Sequence, residues 1–150
     1  MKIHVTIEKQ YEEIEVHLYA DNFSEEVERL MKRLKMPEVT KVDGYKEQEI
    51  HMLKLDEIYS VYAEGSKIYF QTEEEEFESK RKLYELEDML SERFARINKS
   101  TLVNIDKIAS IQLGRLGTPT LILDNEATIA VSRNYLKTLK QKLGIGRNAR

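Results

Sequence analysis

The chain has 150 residues, 41% hydrophobic and 34% charged, enough for one ordinary core or one core with a small appendage. It has no cysteine, which excludes disulfides, thiolate zinc sites and cysteine nucleophiles. The net charge of −3 conceals a split: residues 1–90 hold 13 basic and 23 acidic side chains, a balance of −10, and residues 91–150 hold 11 and 4, a balance of +7, an asymmetry that suggests a polyanion-binding end.

Residues 2–8 alternate, with Ile3, Val5 and Ile7 on one face, and residues 14–19 repeat the pattern with Ile14, Val16 and Leu18. A period of two predicts a hairpin over "KQYEE". This alternation is not a signal peptide, and no apolar run nears the roughly 18 residues of a membrane span, so a soluble cytoplasmic protein is expected. His4 and His17 would face each other across the hairpin, but a catalytic zinc needs at least three protein ligands. In "DNFSEEVERLMKRLKMP", Val27, Leu30, Met31 and Leu34 form an amphipathic helical stripe, with Asn22 or Ser24 as cap and Pro37 as stop. Residues 1–44 therefore read as a small β-β-α unit plus a polar linker, with Asp43-Gly44 as a turn, and residues 45–150 as the main domain. The small unit is short of core for standing alone, and packing on the rest of the chain or on a second copy is expected.

A β-rich region follows. "EIHMLKL", "EIYSVYAE" and "SKIYFQT" read as strands, with Gly65 at a turn. Glu73 to Glu76 belong to a solvated hairpin tip, because adjacent strand residues point to opposite faces and do not converge on a metal. Residues 79–93 return to helical period through Leu83, Leu86 and Leu90. "LVNI", "IASIQL", "TLILD" and "ATIAVS" are strands, separated by "GRLGTP" and Asp124-Asn125. "RNYLKTLKQKLG" closes the chain as a helix stopped at Gly144.

No serine lies in a nucleophile elbow, and "GRLGTP" lacks the "GK[ST]" of a phosphate-binding loop. Neither an enzyme, a cofactor, a metal nor a small-molecule substrate is expected. Two basic-polar clusters remain, each at the end of a strand-like segment. The first is Arg96, Asn98, Lys99, Ser100 and Thr101; the second is Ser132, Arg133 and Asn134, with Lys137 one helical turn on. Arg and Asn make bidentate contacts to guanine and adenine edges, and Lys, Ser and Thr suit phosphate oxygens. The alternative is a pair of ordinary turns, with Ser132-Arg133-Asn134 capping the last helix.

Ordered motifs add to these clusters. Ile58, Val61 and Gly65 realise "I-x-x-[IV]-x-x-x-G", "FARINKSTLVN" resembles "F-x-R-[IV]-H-[RK]-S-x-x-V-N" except at Asn98, and "VSRNY" follows "[VI]-S-R-x-[YF]". Over about residues 48–144 the chain resembles the LytTR DNA-binding domains of bacterial response regulators. The resemblance implies an α+β, mostly β, elongated fold of about ten short strands that contacts successive major grooves through loops rather than a helix-turn-helix. It implies three contact regions: Ser66 and Lys67; Asn98 and Lys99 with Arg96 and Ser100 beside them; and Arg133 with Asn134 adjacent. Asn98 stands where many members have His. Too few residues precede the match for a receiver domain, so a stand-alone transcriptional regulator is expected. A homodimer through the small unit, or restraint by an inhibitory membrane-protein partner, would be its use. The rival is an interaction module of the same fold with weak or no DNA binding.

Overall fold

The computed structural model describes residues 1–35, 38–114 and 117–145; the expected helix stop at Pro37 and the middle of "GRLGTP" lie outside them. The chain divides into two compact units, residues 1–38 and 39–150.

In the first unit, α1 spans Glu25–Lys35, with acidic residues in its first turn and basic ones in its last, complementing the helix dipole. Ser24, rather than Asn22, caps it: Ser24 Oγ accepts from Val27 N at 3.3 Å, while Asn22 donates to Asp21. The expected hairpin differs. Residues 2–8 and 14–19 form no strand ladder, although a turn bond from Tyr11 N to Glu8 O (3.3 Å) sits between them. Ile3, Val5, Ile7 and Ile14 are 76–94% exposed, so no apolar face is covered that would hold two strands together.

Among its described residues the second unit holds ten strands. β1 (Lys41–Lys46), β2 (Glu49–Lys54), β3 (Ser60–Glu64), β4 (Lys67–Gln71), β5 (Glu76–Ser79), β6 (Phe94–Asn98) and β7 (Thr101–Asn104) form an antiparallel sheet ordered β2-β1-β5-β4-β3-β7-β6. β8 (Ile108–Gln112), β9 (Thr120–Leu123) and β10 (Thr128–Ala130) form a second sheet ordered β10-β9-β8. The described residues of the unit also form two α-helices, α2 (Leu83–Met89) and α3 (Arg133–Lys142). Residues 41–44, expected as linker, thus belong to strand β1, and the turn falls at Glu47–Gln48, whose φ values are +49° and +68°. Gly44 lies inside β1 because a Cβ there would sit 2.7 Å from Leu53 Cδ1 and 2.9 Å from Phe77 Cβ. A glycine needed for packing imitates a turn signal.

β6 and β7 separate two cores. Phe94 and Leu102 point to one, with Ile58, Val61, Phe70 and the α2 residues Leu83 and Leu86. Ala95, Ile97 and Val103 point to the other, with Leu121, Leu123, Val131 and the α3 residue Leu139. Burial on both faces accounts for the unbroken apolar pair Leu102-Val103. Buried Asn104 ties the layers: its Nδ2 donates to Leu55 O (3.1 Å) and Ile58 O (2.8 Å), and its Oδ1 accepts from Asp106 N (3.1 Å).

Candidate nucleic-acid interface

The sheet register gathers the candidate contact residues. β3 and β4 are joined by the two-residue turn Gly65–Ser66, with Glu64 opposite Lys67 and φ of +62° at Gly65, a conformation glycine adopts without strain. β7 pairs antiparallel with β3, Tyr62 opposite Thr101, and Ala63 N donates to Ser100 O at 2.8 Å. The Gly65–Ser66 turn and the Lys99–Ser100 turn therefore leave the sheet at the same end. The acidic residues Glu73, Glu74 and Glu75 lie in the β4–β5 turn, at the other end of β4.

α3 brings the third group to that end. Ser132 N donates to Ile97 O (2.8 Å) at the helix start, and Lys142 Nζ donates to Ser91 O and Phe94 O (both 3.1 Å) at its finish, so α3 lies antiparallel along β6. Burial holds the Lys142 ammonium below the usual lysine range, with Glu87 opposing the shift. Ser132 occupies the cap position without a side-chain cap bond; its carbonyl accepts from Tyr135 N and Leu136 N. Arg133, Asn134 and Lys137 are exposed, and Arg133 and Lys137, four residues apart, share a helix face.

The model of the LytTr DNA-binding domain family matches residues 48–144. The chain belongs to the LytTR family of DNA-binding domains. LytTR domains are a regulator family and not an enzyme family. A solved LytTr DNA-binding domain from Bacillus cereus superposes with a TM-score of 0.66 at 25% identity, covering 71% of this chain and 99% of that one. Uncharacterised HTH-type transcriptional regulators of Staphylococcus aureus strains MSSA476 and MRSA252 are 27% and 26% identical over 146 residues, 97% of this chain and 99% of each relative. In this LytTR chain the described helices do not form a helix-turn-helix pair, since strands lie between α1 and α2 and between α2 and α3.

The nine residues expected at the LytTR site separate into two groups. Ser66, Lys67, Lys99, Ser100, Arg133, Asn134 and Lys137 are exposed. Lys67 lies 3.6 Å from Glu78, which also sits 3.5 Å from Lys80, while Lys99, Arg133 and Lys137 have no acidic partner among the described residues. Arg96 and Asn98 turn inward instead. Arg96 Nη1 pairs with Glu87 on α2 at 2.7 Å, its Nε donates to Asn98 O at 2.8 Å, and its Nη2 donates to Lys99 O. Period two puts Arg96 on the Phe94 face, the side α2 covers. The β6–β7 register slips between Arg96 and Asn98, a bulge of the kind that re-aims side chains. Asn98 Nδ2 then reaches Ala130 O (3.2 Å), and its Oδ1 accepts from Ser100 N (2.9 Å) and Ser100 Oγ (3.1 Å). Asn-x-Ser spacing, which allows an Asx turn, was the signal for this in the sequence. Glu87 gave no local signal; only tertiary packing brings it to Arg96.

Proposed function

We propose that this LytTR chain is a sequence-specific, cytoplasmic transcriptional regulator that reads successive major grooves through the turns at one end of its large sheet. The supporting observation is the convergence there of Lys67, Lys99 and Arg133, with Lys99 and Arg133 free of acidic partners among the described residues. Lys67 and Lys99 neutralise phosphates, and Arg133 makes the bidentate base contact. Selection of bound duplexes from a random pool, followed by a salt titration on the selected duplex, tests it. A regulator yields one enriched motif and a steep loss of affinity with salt. An interaction module of the same fold yields no enrichment and no duplex affinity even near 50 mM salt.

The exposed alternating segments of residues 2–19 support a homodimer, in which a second copy covers Ile3, Val5, Ile7 and Ile14. Ile7→Glu combined with Ile14→Glu should halve the mass in solution. A protein that is monomeric before substitution sinks the dimer and leaves the segment for a different partner, such as a restraining membrane protein.

A further inference from the structure

We infer that Asn98 is a positioning residue, which locks the Lys99 turn to the start of α3 and so sets the placement of Lys99 relative to Arg133. Its side-chain amide spends both oxygen lone pairs and one of its two N–H groups on bonds within the protein. The oxygen holds the turn through Ser100 N and Ser100 Oγ, and the nitrogen reaches across to Ala130 O, three residues before Arg133. A base-reading asparagine needs both amide atoms for adenine, and here the oxygen has both acceptor positions taken by Ser100. The main-chain bond from Ser132 N to Ile97 O lies beside it, so the two turns are joined by one backbone and one side-chain link. Arg96 supports the same turn from the α2 side through the Asn98 and Lys99 carbonyls. A carboxamide fits this double duty, because it offers a donor and an acceptor to opposite sides at once. This rests on Lys99 and Arg133 being DNA contacts, and the test separates the two claims.

The first arm uses no DNA. In Asn98→Ala, amide exchange should quicken at Ser100 and also at Val131 and Ser132, whose N–H groups donate to Pro119 O and Ile97 O, by about tenfold or more. Unchanged exchange at Val131 and Ser132 overturns the brace, since only the turn's internal bonds would then matter. If Asn98→Ala does not fold, Asn98→Asp takes its place in this arm, because it keeps the acceptor for Ser100 and loses the donor to Ala130. The second arm is a double-mutant cycle on the selected duplex. Arg133→Ala should weaken wild-type binding by about tenfold or more and the Asn98→Ala protein by only about threefold or less. Additive losses, with Asn98→Ala relaxing preference at a single base pair, make Asn98 a reader and refute the proposal. A wild-type protein that binds no duplex refutes the regulator instead, while the exchange arm still decides the brace.

Discussion

Asn104→Ala is the substitution whose consequence follows most directly from geometry. Asn104 is 1% exposed and its Nδ2 donates to two carbonyls, at 3.1 Å to Leu55 O and 2.8 Å to Ile58 O. Alanine removes both bonds. Leu55 O keeps the bond from Ile58 N at 3.2 Å, so it is not orphaned. Ile58 is 0% exposed, and its carbonyl is left buried without that donor, at a cost of about 1–3 kcal/mol. The vacated amide volume and the lost bond from Asp106 N add about 1 kcal/mol more, for a total of about 3 kcal/mol. At roughly 4 °C per kcal/mol, the melting temperature should fall by about 12 °C. Urea unfolding followed by circular dichroism should show a lower midpoint with an unchanged slope. Folded Asn104→Ala protein should bind duplex as wild type does, because every side-chain bond of Asn104 is internal. A loss below about 1 kcal/mol would refute the reasoning, since it would mean that Ile58 O finds water or a new donor without penalty.

Arg133→Ala should weaken binding to the selected duplex by about 1–3 kcal/mol while leaving the melting temperature in place; unchanged specific and nonspecific affinity removes Arg133 from the interface. Lys67→Ala should weaken binding on every duplex alike and flatten the salt slope by about one unit, read from affinity against log salt, whereas a loss confined to one sequence would make Lys67 a base reader. Gly44→Ala should destabilise by about 1–3 kcal/mol in the same urea assay, because its new methyl meets Leu53 Cδ1 at 2.7 Å and Phe77 Cβ at 2.9 Å. Gly65→Ala is its contrast: nothing lies within 4 Å, so only the φ of +62° opposes it, by about 1–2 kcal/mol.

The sequence by itself determined the elements whose signals are local. The β3–β4 hairpin follows from β-branched and aromatic residues on either side of Gly65, and α3 from its Leu136, Leu139 and Leu143 stripe ended by Gly144 at φ +74°. Local signals also picked out Lys99 and Arg133, as basic residues at the ends of apolar strand-like segments, whereas Lys67 came only from the LytTR resemblance. Tertiary structure decided the rest. Gly44 is a strand residue because Leu53 and Phe77 crowd it, and both arrive from other strands. Residues 2–19 alternate as strands do, yet pairing needs a covered face, and they have none. The direction of Arg96 and Asn98 is of the same kind. Guanidinium and carboxamide groups bind DNA and backbone carbonyls with the same atoms, so residue type does not say which they meet. Glu87 on α2, the bulge after Arg96 and the carbonyl of Ala130 make that choice, and all three reach the β6–β7 turn only through the fold.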